Sequence, residues 1–407
     1  MPARQMGPLA GVKVIELTHV MAGPVCGLML ADMGADVIKV ERLPGGDSSR
    51  EDLAYTVGGE SAAFMMMNRN KRGIPVDLKS EGGRDVLHRL LQGADVILEN
   101  YRSGTMARLG FGYDDLHARY PRLIYCAVSG FGRTGPYAER PGFDLVAQGM
   151  SGLMSITGEG PGRPPVKCGA PVTDICAGIL AAMGILAALH HREQSGEGQM
   201  VDTSLFEAGV ILTYWQSAIA FAAKQASGPM GSAHPLSAPY QAFETADGWI
   251  TLGAANQANW LRLLEVLDAR HLAGDPRFAD NAGRLENRLA LAEVLTGFFR
   301  TRPKTEWLAR LEAAGVPAGP ILDTLEMHQD PQVRARGLVA EVAHARAGLV
   351  ETLGLPVTFT ATPGGPKSGA PLYGEHTREI LAEHGLSQAE IETLLRDGVV
   401  AAAFAVP

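Results

Sequence analysis

Cysteine is scarce in this 407-residue chain. There are four, Cys26, Cys126, Cys168 and Cys176, scattered without a C-x-x-C pair or a paired histidine spacing. That excludes a disulfide framework and a zinc site, no metal is expected, and a reducing cytoplasm is the expected setting. Excess positive charge is also missing. Lys and Arg number 36 against 44 Asp and Glu, a net charge of −8, so neither nucleic acid nor a membrane is an expected partner. A local basic pocket for a small polyanion is compatible with that balance. The N-terminus lacks a basic region followed by an apolar core and a cleavage site, so no signal peptide is expected. No apolar run reaches the ~20 residues of a membrane span. The longest, Ile175–Leu189, is interrupted by Gly178 and Gly184 and reads as a buried helix. No P-loop, G-x-S-x-G or H-E-x-x-H motif occurs.

What the chain has in quantity is glycine (49) and proline (25), roughly 18 % of residues against about 12 % on average. The excess is neither periodic nor confined to one tract, so it signals many tight turns between compact elements. The first half alternates apolar runs with helical patterns. Val12–Leu17 is a strand and Pro24–Met33 a helix; Asp36–Val40 is the next strand. Glu81–Gln92 (helix), Asp95–Leu98 (strand), Tyr113–Arg119 (helix) and Leu123–Val128 (strand) follow. Strands that are apolar without alternation, separated by helices, predict a parallel sheet covered on both faces. This is a doubly wound, Rossmann-like α/β domain.

A long helix is predicted after Asp174, to about Glu193, and another from Leu205 to about Lys224 behind the capping run Asp202-Thr203-Ser204. Tyr240–Thr245 and Trp249–Ala254 flank Ala246-Asp247-Gly248 as a hairpin. Helices near Asn259–Leu267, Arg284–Thr301 and Lys304–Ala314 complete a smaller α+β region. Extended segments are expected around Val339–Val342 and Pro356–Phe359, then helices at Glu375–His384 and Ser387–Asp397.

Gly130-Phe131-Gly132-Arg133-Thr134-Gly135 fits G-x-G-x-x-G behind a strand. It lacks the following helix, which Pro136 interrupts, and Met150 stands where an acid would receive a ribose. A nicotinamide or flavin site is therefore not expected. Asp174 precedes the most apolar helix of the chain. It reads either as an N-cap or as a nucleophile placed where backbone N–H groups stabilise developing negative charge. Basic groups cluster in Asn68-Arg69-Asn70-Lys71-Arg72-Gly73 and in Glu99-Asn100-Tyr101-Arg102, with Arg108 beyond and Lys39 and Arg42 beside another strand end. Each cluster alone reads as a solvated face; together at strand ends they suit a polyanionic ligand.

Several segments, in order, resemble the family III CoA-transferases, the CaiB/BaiF group. They are Pro8–Leu17, Ala22-Gly23-Pro24, Gly34–Glu41, Asn70-Lys71-Arg72, Glu99–Gly104 and Arg140-Pro141-Gly142-Phe143-Asp144. The Asp174 segment, Gly198–Asp202, Ala238–Gln241 and Gly374–Thr377 continue the series. The resemblance implies a Rossmann-like large domain built from both chain ends (1–200 and 331–407), a connecting helix at 201–225 and a small α+β domain at 226–330. It also implies an interlocked, ring-like homodimer, Asp174 as the catalytic carboxylate, and coenzyme A entering as a substrate rather than as a resident cofactor. CoA would lie along His19, Val20, Arg42, Asn70, Lys71, Arg72, Asn100, Tyr101 and Arg108. The loop at 226–239, with Gly228, Gly231, Ser232 and His234, would cover the site, and Asp144 would assist as a second carboxylate or sit in a structural salt bridge.

The implied reaction moves CoA from an acyl-CoA, with succinyl-CoA the first donor to consider, to a small carboxylic acid through an aspartyl anhydride and an aspartyl-CoA thioester. Met21 stands where the formyl-CoA:oxalate member has a glutamine, which argues against oxalate as acceptor. α-Methylacyl-CoA racemase shares the fold but needs a histidine where Phe143 stands, and Phe143 carries no proton. A non-catalytic CoA-binding dimer is the reading from another class; retention of Asp174 argues against it.

Overall fold

The computed structural model describes residues 7–403, which fall into two compact units. One comprises residues 7–153, 168–215 and 331–403, the other 154–167 and 216–330.

The first unit is organised by a six-stranded sheet whose neighbours all run parallel. Its strands are β1 (Lys13–Leu17), β2 (Asp36–Arg42), β3 (Arg72–Val76), β4 (Val96–Glu99), β5 (Ile124–Ser129) and β6 (Met200–Ser204). Their spatial order is β3-β2-β1-β4-β5-β6. Alternate residues of each strand feed opposite layers. Val14, Val37, Val96 and Ile124 pack under α1 (Ala22–Asp32) and the long helix Val172–Ser195. Ile15, Ile38, Ile74 and Ile97 pack on the other side with Leu87 and Leu90 of α2 (Glu81–Leu91) and with Ile380 and Ile391 from the returning C-terminal segment. These side chains are at most 3 % exposed, and each contributes about 1.5–3 kcal/mol by leaving water. Both faces are dry, which is why the strands read as unbroken apolar runs.

Next in the chain are α3 (Tyr113–Arg119), α4 (Asp144–Met150), α5 (Val172–Ser195) and α6 (Leu205–Ile211). α5 is the one single helix among the described residues long and apolar enough to cross a bilayer. Here its small residues bury against α1: a Cβ on Gly178 would stand 2.6 Å from the carbonyl oxygen of Ala22. That close approach requires glycine.

The second unit pairs Tyr240–Thr245 with Gly248–Gly253 in an antiparallel hairpin, and Ala318–Pro320 adds a third strand. Its core holds Phe243, Ile250, Trp260, Leu263, Phe299 and Trp307. Arg284 is buried among them, its Nε donating to Ala238 O at 2.7 Å.

The basic run at 68–73 joins the end of helix Ala62–Asn68, through a turn at Arg69–Asn70, to the start of edge strand β3. Four expectations change. The helix beginning at Leu205 stops at Ile211 and a separate helix spans Tyr214–Ala223; between them Thr213 Oγ1 donates to Val210 O, competing with the helical pattern. The residues 202–204 belong to β6, and Ser204 alone caps α6, accepting from Glu207 N at 3.1 Å. Pro356–Phe359 forms no strand, because Val339–His344 pairs with Gly348–Leu353 instead. The unit boundary lies at 215/216 rather than 225/226, and 154–167 goes with the second unit.

Candidate active site

The strand order reverses between β1 and β4, so the loops leaving these two strands diverge and open a crevice at their carboxyl ends. Asn100, immediately after β4, crosses to the loop after β1. Its Oδ1 accepts the N–H of His19 at 2.9 Å and its Nδ2 donates to His19 O at 2.9 Å. One side chain therefore holds both backbone groups of a residue on the neighbouring strand's loop. Next to it, Val20 takes φ 66°, a left-handed conformation that is costly for a β-branched residue.

A cleft of about 380 Å³ opens here. His19 to Ala22 form one wall and Asn100 to Ser103 another. Gly130 and the run Arg140–Asp144 form a third, and Asp174 lies among them. The third wall is possible because two backbones touch: a Cβ on Gly130 would stand 2.7 Å from the Cα of Gly142. The same wall is tied down by Arg133, whose Nη1 meets Glu99 Oε1 at 2.6 Å while its backbone N–H donates to Asp202 Oδ2. The glycine-rich motif at 130–135 thus braces a loop and opens no helix. A smaller hollow of about 190 Å³ continues from His19 and Tyr101 to Arg42 and Asp47.

Asp174 is the third residue of α5, whose N-cap, Pro171, offers no side-chain acceptor. Asp174 is half-buried. Burial, and then the negative charge of Asp144, push its carboxyl up to about 7. Asp144 opens α4 and is fully engaged: Oδ1 accepts Thr173 N at 3.0 Å and Thr173 Oγ1 at 2.7 Å, and Oδ2 accepts Gln148 Nε2 at 2.7 Å. Among the described residues it has no salt-bridge partner; it caps α5 from outside and fixes the residue before Asp174.

The remaining expected site residues divide. His19, Val20, Asn100 and Tyr101 line the main cleft, and Arg42 lines the hollow with 59 % of its side chain exposed. Burial lowers the pKa of His19, leaving its imidazole neutral at pH 7. Arg108 is exposed and donates to Thr105 Oγ1, whose residue lines the cleft. Asn70, Lys71 and Arg72 line neither of these two cavities but a separate hollow of about 280 Å³, together with Asp36, Ser368 and His376. Lys71 Nζ is completely buried on Glu16 at 2.9 Å, Arg72 is spent on Asp36, Glu379 and Glu383, and Asn70 donates to Asp32 at 2.7 Å. Both cations are paired with carboxylates of the fold.

Gly231 and His234 belong to the second unit. Gly231, at φ 62°, donates to Gly158 O, and His234 Nδ1 accepts the N–H of Leu236. Sequence reading passed over Asp47, whose signal was the Asp-Ser cap of a short helical turn. It also left Arg140 without a role; Phe143, which it used only to argue against a racemase, lines the cleft with 74 % of its surface exposed.

The family model for CoA-transferase family III matches residues 9–377. The chain is 39 % identical over 389 residues to the succinate–glutarate CoA-transferase of Agrobacterium fabrum, covering 94 % of this chain and 97 % of that one. It is 38 % identical to the succinyl-CoA:mesaconate CoA-transferase of Haloarcula hispanica, with the same coverages. The crystal structure of a CaiB/BaiF family protein from Brucella suis superimposes with a TM-score of 0.83 at 39 % identity, over 93 % of this chain and all of the other.

Proposed function

The chain belongs to CoA-transferase family III and moves CoA between an acyl-CoA and a carboxylic acid, and on that premise we propose that it uses succinyl-CoA as donor, a small dicarboxylate as acceptor, and Asp174 as the covalent carrier. The carrying observation is the half-buried Asp174 in the cleft at the switch point, with a pKa pushed up to about 7. A carboxylate of ordinary acidity is a weak nucleophile; one desolvated and repelled by Asp144 is a stronger one, and about half of it is ionised at neutral pH.

The Asp174 carboxylate attacks the thioester carbonyl, the C–S bond breaks, and CoA leaves as thiolate from a mixed anhydride. The thiolate attacks the Asp174 side of the anhydride, releasing the donor acid and leaving an aspartyl-CoA thioester. The acceptor carboxylate attacks that thioester, giving a second anhydride and the thiolate again. The thiolate then attacks the acceptor carbonyl, and Asp174 departs as a free carboxylate. No net proton is consumed. Backbone donors at the start of α1, where Met21 and Ala22 line the cleft without an acidic residue in the first turn, are available to the developing oxyanions. CoA itself supplies the thiolate leaving group and nucleophile.

The protein would act in the cytoplasm as a homodimer. Supporting the dimer, α5 exposes Ile179, Met183 and Leu186, one turn apart along a single face. Light scattering giving a monomer mass at micromolar concentration would refute the dimer. Screening a panel of carboxylic acids against succinyl-CoA tests the substrate assignment; activity confined to monocarboxylates would refute it. Proton exchange as in a racemase is disfavoured because Phe143 lines the cleft in place of a histidine.

A further inference from the structure

Beneath the loop after β1 lies a cluster of four charged side chains, Glu16, Lys39, Asp47 and Lys71, each 0 % exposed. Glu16 and Lys39 are register neighbours on β1 and β2. Lys39 Nζ lies 3.2 Å from Glu16 Oε1, 2.9 Å from Asp47 Oδ2 and 2.8 Å from Thr18 O. Asp47 Oδ1 accepts the N–H of Val20 at 3.1 Å and those of the Ser49 backbone and hydroxyl. Two acids and two bases make the cluster neutral. Burying four charges is expensive, and apolar side chains of the same volume would stabilise such a site as well. Stability alone therefore does not account for it.

Its contacts do. The pair Lys39–Asp47 grips Thr18 by its carbonyl and Val20 by its N–H, on either side of His19, which Asn100 holds by both backbone groups. The held residue, Val20, is at φ 66° and half exposed on the cleft wall. A β-branched residue persists in that conformation only when its surroundings over-determine it. Lys39 itself lines neither cavity.

We propose that Lys39 and Asp47 are positioning residues for the thioester site: through Thr18 O and Val20 N–H they impose the left-handed turn that shapes the wall receiving the CoA thioester, without touching substrate. This rests on the reading of the cleft as the acyl-CoA site.

The test is a comparison of Lys39→Met/Asp47→Leu with and without Val20→Gly. Removing both charges together leaves no orphaned buried ion. The expected result is a KM for succinyl-CoA, and a Kd for free CoA by calorimetry, raised about tenfold, with kcat within about threefold. Adding Val20→Gly brings both constants back to within about threefold of wild type, because glycine adopts positive φ without strain. A purely structural role gives no such rescue. Unchanged constants in the paired variant, or no recovery with glycine, overturns the proposal. If the paired variant does not fold, Asp47→Leu with and without Val20→Gly carries the same comparison. Trapping of acylated Asp174 in the wild-type enzyme is scored separately, so failure of the catalytic reading is distinguishable from failure of this one.

Discussion

Asp144 accepts both the backbone N–H and the hydroxyl of Thr173, at 3.0 and 2.7 Å, so one carboxylate fixes the residue that directly precedes the other. It does so from α4 while its charge raises the pKa of Asp174. These roles separate by mutation. Asp144→Asn keeps an acceptor oxygen and removes the charge, so the pH inflection of acylation should move below 7 with kcat reduced less than about tenfold. Asp144→Ala also removes the cap and should cost a further ~1 kcal/mol of stability, read by thermal unfolding. An inflection unmoved in Asp144→Asn would show that the Asp144 charge does not reach Asp174.

The wild-type pH profile follows from the same carboxylate. Because the nucleophile is the ionised form, kcat/KM for the acyl donor should rise with pH and level off above an inflection near 7. The effect on stability has the opposite sign. The folded state holds the Asp174 proton more tightly than the unfolded chain between about pH 4 and 7, so this group makes stability fall as pH rises through that window. Asp174→Asn removes the effect. Its melting temperature should exceed that of the wild type at pH 8, with the gap closing by about pH 4; equal melting temperatures at pH 8 would refute the raised pKa.

Asn100 is a clamp as well as a cleft residue. Asn100→Ala frees both backbone groups of His19, and KM for succinyl-CoA should rise about tenfold or more by loss of two hydrogen bonds that shape the site. Steady-state kinetics check this; a change in kcat alone would argue that Asn100 acts in chemistry instead.

A Phe143 lining the cleft carries no proton. In deuterium oxide, without an acceptor acid, a chiral 2-methylacyl-CoA should keep its α-proton, read by NMR. Exchange at catalytic rates would return the racemase reading.

The parallel sheet was legible because its strands are buried on both faces and so read as apolar runs; Val14, Val37, Val96 and Ile124 mark it directly. The strand order was not, since nothing local in Arg72–Val76 says that it pairs with Asp36–Arg42 across the intervening helix and loop. Asp174 was visible as a carboxylate before an apolar helix. Its partner's role was not, because Asp144 and Thr173 meet only in three dimensions. The partners of the basic run Asn70-Lys71-Arg72 were hidden for the same reason: Glu16, Asp32 and Asp36 meet it only inside the fold. Val20 shows the limit most sharply. A left-handed valine has no sequence signature, and the buried Lys39 and Asp47 that hold it lie 19 and 27 residues away in the chain.

The most direct test of the central claim is chemical trapping. Incubation with succinyl-CoA and hydroxylamine, followed by peptide mass spectrometry, should place a hydroxamate on Asp174, and Asp174→Ala should lose both the adduct and CoA transfer. An unmodified Asp174 together with wild-type transfer by Asp174→Ala would contradict the account.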